Sequence, residues 1–127
     1  MPKVKYPITA SESDEQIYLF QWAGYASKTT PELDLLYHIP NGGKRDYGTA
    51  KRLKAEGVKA GVPDICLPVP SGKYHGLYIE LKAGRNKTTE NQDKWLEALS
   101  LQGYFTAVCY GWNEAREVII NYLGRAV

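Results

Sequence analysis

The stretch that decides the fold runs Gly61-Val62-Pro63-Asp64-Ile65-Cys66-Leu67, then Pro68-Val69-Pro70-Ser71-Gly72-Lys73, then Tyr74-His75-Gly76-Leu77-Tyr78-Ile79-Glu80-Leu81-Lys82-Ala83. Pro63 opens an apolar run that reads as a strand through Leu67, and Pro68 and Pro70 end it because proline has no N–H for a ladder. Ser71-Gly72-Lys73 is a turn, and Tyr74 to Ala83 forms the next strand. Side chains alternate along a strand, so Leu77, Ile79, Leu81 and Ala83 share an apolar face while Tyr78, Glu80 and Lys82 share the other. An isolated Glu-x-Lys on such a face is ordinarily solvated, or a plain surface ion pair. Asp64 changes that reading, because a hairpin between the two strands lets it lie beside Glu80. Two carboxylates at one point repel and favour a cation between them. Hard oxygen ligands select Mg2+ or Mn2+, and the backbone carbonyl of Leu81 could supply a third oxygen. An ion so held polarises a phosphate and acidifies a bound water. Lys82 is placed to orient that water or to stabilise charge developing on the phosphate.

Upstream of this stretch, Asp46 to Ala60 reads as a basic, weakly amphipathic helix broken by Gly57 and closed by Gly61. Asn41-Gly42-Gly43 turns the chain after a short strand, Leu35 to Ile39, that Pro40 stops. Before it, Ser11 or Ser13 caps a helix on which Ile17, Leu19, Phe20, Trp22, Ala23 and Ala26 recur at helical spacing. Residues 1–10 read as a loose leader. Downstream, Thr89 and Gln92 have the spacing of a capping box, with Thr88 an equally acceptable cap. The helix they start carries Trp95, Leu96 and Leu99 on its core face and stops at Gly103. Tyr104 to Tyr110 is a β-branched and aromatic strand, and Asn113 caps a last helix bearing Ala115, Val118, Ile119 and Tyr122. The order α-β-(α)-β-β-α-β-α predicts one α/β domain over residues 1–127, a central mixed sheet covered by helices.

A chain of 127 residues, 43% hydrophobic and 24% charged, suits one folded domain. No run approaches the roughly 18 apolar residues of a membrane span, and no signal-peptide stretch opens the sequence, so an intracellular protein is expected. Cys66 and Cys109 lie in apolar runs, which predicts buried thiols. The net charge of +2 does not by itself imply nucleic acid. Its distribution is uneven, however. Between Asn41 and Gly61 six bases (Lys44, Arg45, Lys51, Arg52, Lys54, Lys59) face two acids, Asp46 and Glu56, and Lys82, Arg85 and Lys87 form a second cluster. The glycines of Asn41-Gly42-Gly43-Lys44-Arg45 free backbone N–H groups that can cradle a phosphate, with two cations beside them; a plain turn is the alternative. His38 and His75 are too few and too scattered for a zinc site, and His38 reads as structural.

Asp64, a turn-linked gap and Glu80-Leu81-Lys82 on the following strand resemble the PD-(D/E)XK restriction-endonuclease-like superfamily. The chain is more closely similar to the virus-type replication-repair nuclease (VRR-NUC) family, through Glu15-Gln16, His38-Ile39-Pro40-Asn41-Gly42-Gly43-Lys44-Arg45, Gly57 to Asp64, Tyr78 to Lys82, and Gln92-Asp93-Lys94-Trp95-Leu96. The resemblance implies a restriction-endonuclease-like core and a Mg2+- or Mn2+-dependent endodeoxyribonuclease. Asp64, Glu80 and the Leu81 carbonyl would hold the ion, and Lys82 would complete the catalytic set. Glu15 is expected as the helix-1 carboxylate facing the metal, directly or through water, with Glu12 the competing choice, and Gln92 is expected at the site. The loop Asn41, Gly42, Gly43, Lys44 and Arg45 is expected to contact DNA, with Lys51, Arg52, Lys59, Arg85 and Lys87 in the basic surface around the cleft. Similar stand-alone members occur in phages and bacteria and are regarded as homodimers acting on branched DNA such as four-way (Holliday) junctions. That sets the expected location as the cytoplasm of a bacterium or a phage-infected cell. Larger relatives carry SAP and repeat domains that are not found in this sequence, so substrate choice is expected from the domain itself or from pairing. Tyr18, Trp22, Tyr25, Trp112 and Tyr122 offer a candidate dimer surface. Three rivals stand beside this reading. They are a general or nicking nuclease, an inactive DNA-binding module, and a sequence-specific restriction enzyme, for whose recognition insert the short loops leave little room.

Overall fold

The computed structural model describes residues 10–40 and 46–124. Helix α1 (Glu12–Ala26) starts at Ser11, whose hydroxyl accepts from the Asp14 N–H while the Asp14 carboxylate accepts from the Ser11 N–H. That reciprocal box satisfies two otherwise orphaned donors and decides between the two candidate serine caps. Pro31–Leu35 winds into a short 3-10 turn with the proline at its start, so strand β1 is only Tyr37–His38, not Leu35 to Ile39. Helix α2 (Tyr47–Ala55) is capped by Asp46 and ends at Glu56, short of the expected Ala60, because Gly57 stops it. Strands β2 (Ile65–Leu67) and β3 (Leu77–Lys82) are shorter than the pattern suggested. Between them the chain tightens at Ser71 and Tyr74, each donating its N–H to the other's carbonyl. Helix α3 (Glu90–Leu101) opens on the Thr89–Gln92 box, followed by β4 (Phe105–Tyr110) and helix α4 (Trp112–Leu123).

The sheet order is β1-β2-β3-β4, antiparallel up to β3 and parallel between β3 and β4, with α3 as the crossover. This is the expected α/β mixed sheet flanked by helices. Ile65, Leu67, Leu77, Ile79, Leu81 and Cys109 form a core with Leu19, Ala23 and Ala26 of α1 and Ala115 and Ile119 of α4. The opposite face, which carries Tyr78, Glu80 and Lys82, meets α3. There the Ser100 and Thr106 hydroxyls share a 2.7 Å hydrogen bond, and Thr106 is the residue paired with Tyr78. Far from being a solvated face, it leaves Glu80 1% and Lys82 6% exposed. Both thiols are buried and unpaired. No described helix is long and apolar enough to cross a membrane.

Two elements are held together in ways the local sequence does not announce. Helix α4 begins ahead of Asn113, the expected cap. Its N-cap is Gly111, which has no side chain to give, and the Trp112 N–H donates instead to Glu15 Oε1 of α1 at 2.8 Å. A carboxylate at a helix N-terminus also complements the helix dipole. Gly61, buried just ahead of Asp64, lets the chain pass directly under the start of α3. Its φ is +92°, and a Cβ there would lie 2.7 Å from the Asn91 carbonyl carbon.

Gly61→Ala is therefore expected to lower stability by about 1–3 kcal/mol through overpacking, on top of the backbone strain. Gly72→Ala meets no atom within 4 Å and carries only its φ of +57°. It should cost about 1 kcal/mol. Urea midpoints compare the two, and equal losses would contradict the close approach.

Candidate active site

The register of β2 on β3 assembles the site. Ile65 pairs with Ile79, so one step outward brings Asp64 opposite Glu80, and the next sets Pro63 opposite Leu81. The Leu81 N–H donates to Asp64 Oδ2 at 2.9 Å. The N–H and carbonyl of one strand residue point to the same edge, so the Leu81 carbonyl also faces Asp64. Pro63 has no N–H with which to meet it. Asp64 is tied from the other side as well, its backbone carbonyl accepting from the Ile39 N–H at 2.6 Å and from His38 Nδ1 at 3.0 Å. His38 thus positions the backbone of Asp64.

Glu80 is gripped through one oxygen only. Its Oε2 accepts from Gln92 Nε2 at 3.1 Å and lies 3.7 Å from Lys82 Nζ. Gln92 reaches this point while its own Oε1 accepts from the Thr89 N–H at 2.9 Å, so one amide closes the α3 cap and steadies the site. The other oxygen, Glu80 Oε1, is buried without a hydrogen-bond partner. Burial, then the charge of Asp64 and the contact between the two carboxyl groups, push the Glu80 carboxyl up to about 8. Lys82 pulls it down, and Glu12 adds to the rise.

A buried oxygen with no donor, on a carboxyl that meets a second carboxylate beside a backbone carbonyl, fits a hard divalent cation. Asp64, Glu80 and the Leu81 carbonyl are the residues that could hold it. Among the described residues no three His, Cys, Asp or Glu side chains converge as a larger ligand set. Water and phosphate oxygens would complete the shell, as is usual for Mg2+.

The structure brings Asp64, Glu80, Lys82 and Gln92 together. Glu15 is used elsewhere, on the Trp112 N–H. The helix-1 acid whose charge reaches Glu80 is Glu12, and its Oε2 accepts from Asn86 Nδ2 at 2.9 Å. Asn86 lies between Arg85 and Lys87 of the second basic cluster and carries no sequence signal of its own. Lys51, Arg52 and Lys59 are exposed on and just after α2, and Arg85 and Lys87 are exposed on the loop after β3. Asn41, Gly42, Gly43, Lys44 and Arg45 lie outside the described residues.

With this geometry in view, the model of the VRR-NUC domain matches residues 10–113. The chain belongs to the VRR-NUC family. A solved structure described as a VRR_NUC domain protein is 32% identical and superposes with a TM-score of 0.78, covering 92% of this chain and 93% of that one. No curated protein matches the chain. VRR-NUC domains are nucleases, so Asp64 ahead of β2 and Glu80 and Lys82 at the end of β3 lie in a nuclease domain whose substrate is DNA.

The shifted Glu80 carboxyl makes the ion-free VRR-NUC domain sensitive to pH. Below its ordinary value of 4.5, folded and unfolded chains both carry the proton; above about 8 neither does. Between these values the folded state keeps a proton that the unfolded state releases, so stability falls as pH rises. The urea midpoint in chelator should drop from pH 5 to pH 8, and Glu80→Gln should flatten the drop. A midpoint that rises over this window, or an unchanged slope in Glu80→Gln, would contradict the buried acid.

Proposed function

We propose that the protein is a Mg2+- or Mn2+-dependent endodeoxyribonuclease using Asp64, Glu80 and Lys82, and that it works as a homodimer preferring branched DNA, such as four-way junctions, to linear duplex. The observation that carries the catalytic half is the buried, unpartnered Oε1 of Glu80, on a carboxyl that meets that of Asp64. A divalent ion bound there supplies Lewis acidity to a phosphate oxygen and lowers the pKa of a bound water. The protein's own groups have separable tasks. The Leu81 N–H, bonded to Asp64 Oδ2, stops that carboxylate from rotating away. Gln92 holds Glu80 Oε2, which keeps Oε1 for the ion. Lys82 brings an ammonium into a nearly water-free corner, where it can hold the attacking water or a phosphate oxygen with little screening. Of the two helix-1 candidates, Glu12 rather than Glu15 is assigned as the third acid at the edge of the site.

Substrate contacts are assigned to the basic surface. Helix α2 buries none of its residues, leaving Lys51 and Arg52 free to meet phosphates, with Lys59, Arg85 and Lys87 nearby in the sequence of the flanking loops. The dimer half rests on aromatics. Tyr18 is 43% and Tyr25 74% exposed, and with Trp22 and Trp112 they line a shallow groove between α1 and α4. Cutting both strands of a junction symmetrically needs two sites at fixed spacing, which a two-fold dimer supplies. Tyr122 drops out of that surface, since it is buried and donates its hydroxyl to the Val69 carbonyl at 2.6 Å.

The test is cleavage of labelled duplex, flap and four-way junction DNA with and without Mn2+, on protein whose mass has been measured by light scattering. Asp64→Ala, Glu80→Ala and Lys82→Ala should each lose at least about a hundredfold in rate while staying folded. Wild-type rates in the first two variants would place the site elsewhere. A stable mass near 14.3 kDa would rule out the dimer, and equal cutting of junction and duplex would leave a general nuclease.

A further inference from the structure

We infer that Tyr37 and Tyr110 are substrate-contact residues, two phenol rings on which unstacked bases flanking the cut phosphodiester pack. The inference rests on the reading that Asp64, Glu80 and Lys82 form the cutting site. Among the described strand residues three are exposed: Tyr37, His38 and Tyr110. His38 is accounted for by its bond to the Asp64 carbonyl. The two tyrosines leave 48% and 42% of their surface to solvent. Both lie on the face of the sheet that carries the site. Tyr37 is paired with Cys66, Cys66 with Tyr78, and Tyr110 with Lys82. Partners across a ladder share a face. Cys109, the neighbour of Tyr110, points the other way into the core, as strand alternation requires.

A single exposed tyrosine on an outer strand is ordinary. These two are arranged about the acids. The central row of the sheet runs Ile39, Asp64, Glu80 and Val108. Tyr37 stands one strand out from Asp64 and two residues back along the row's normal; Tyr110 stands one strand out from Glu80 and two residues the opposite way. Two residues of strand span about 7 Å, so the tyrosines flank the carboxylate pair on a diagonal at like distances. Each is tied to a site residue through its chain neighbours. Ile39 and His38 hold the Asp64 carbonyl, and the Gly111 N–H donates to the Lys82 carbonyl at 2.9 Å. The Tyr110 N–H itself donates to Glu114 Oε1 at 2.8 Å. Helix α3 meets the middle of this face through Gln92 on Glu80 and Ser100 on Thr106, and the tyrosines mark two margins left open beside it. Cations grip only phosphate. An aromatic ring packs on the face of any base, which holds the nucleotides beside the cut without reading their sequence. Bases inside an intact duplex are already stacked on one another, so the rings serve bases that have lost a neighbour, as at a junction or a gap.

The experiment maps the wild-type cut in a labelled four-way junction and a gapped duplex with Mn2+. It then measures kcat and KM for wild type, Tyr37→Leu, Tyr110→Leu and the two phenylalanine variants. Each leucine variant should raise KM about tenfold and move kcat far less, as the loss of one stacked base does. Each phenylalanine variant should stay close to wild type, because the ring and not the hydroxyl makes the contact. The same substrates with an abasic nucleotide on one side of the cut or the other read the contact from the DNA. Wild type should lose about tenfold on each abasic substrate. The leucine variant of the ring that serves the abasic side should lose no more, since ring and base form one contact. Wild-type KM in either leucine variant, or abasic and leucine losses that multiply, would overturn the inference while leaving the functional reading intact. So would abasic DNA cut by wild type as readily as intact DNA, an arm that decides even where a variant fails to fold. Asp64→Ala cutting at the wild-type rate would instead overturn the functional reading, and this inference with it.

Discussion

The hydrogen bond from the Leu81 N–H to Asp64 Oδ2 sits where packing and chemistry meet. It forms because Ile65 and Ile79 are paired, and they are paired because both belong to one buried face with Leu77, Leu81 and Leu67. A slip of one residue would turn Glu80 and Lys82 into the core and the leucines outward. The apolar face thus dictates the geometry of the polar one. Pro63 adds to this by lacking the donor that would otherwise engage the Leu81 carbonyl. The rest of the fold serves the same point. Helix α3 arrives with Gln92 on Glu80, β1 anchors the Asp64 backbone through Ile39 and His38, and the turn after β3 reaches α1 through Asn86.

Such a site is arranged against stability. A carboxyl pushed from 4.5 to about 8 marks a preference for the protonated form that is of the order of a few kcal/mol. An apolar side chain in place of Glu80 would avoid that cost. What the protein gains is a buried oxygen without a donor, held still and next to a second acid, which is a poor arrangement for an empty site and a good one for a hard cation. Local rules broken in this way concentrate where function resides. Lys82 only partly relieves the strain, since 3.7 Å from Glu80 is a Coulombic contact and too long for a hydrogen bond.

Much of this was legible in the sequence. Alternation in Leu77 to Lys82 put Glu80 and Lys82 on one face, the short turn put Asp64 opposite, and the Thr89–Gln92 spacing marked the start of α3. The periodicities of two for strands and 3.6 for helices act locally, so a local reading captures them. The choice between Glu12 and Glu15 was not local. The two acids are one helical turn apart, and what separates their roles is the approach of Gly111, a residue with no side chain to cap α4, which draws Glu15 away. Asn113 looked like the α4 cap for the same reason, since nothing nearby reveals that the capping group comes from α1. Tyr122, borne on the last helix with Ala115, Val118 and Ile119, also stood among the candidate dimer aromatics because its hydroxyl partner, the Val69 carbonyl, lies on a distant loop. The depth of Lys82 was also hidden: it is buried on the face of β3 that carries Glu80, where Gln92 arrives from α3.

In the proposed function Asp64 and Glu80 lie together to hold a divalent cation. The most direct measurement is anomalous X-ray scattering from crystals of the wild-type protein soaked in Mn2+. An anomalous peak is expected between the Asp64 and Glu80 carboxylates, within coordination distance of the Leu81 carbonyl, and it should disappear in Glu80→Gln crystals soaked identically. A map with no peak there, or with manganese bound only at other carboxylates, would contradict it.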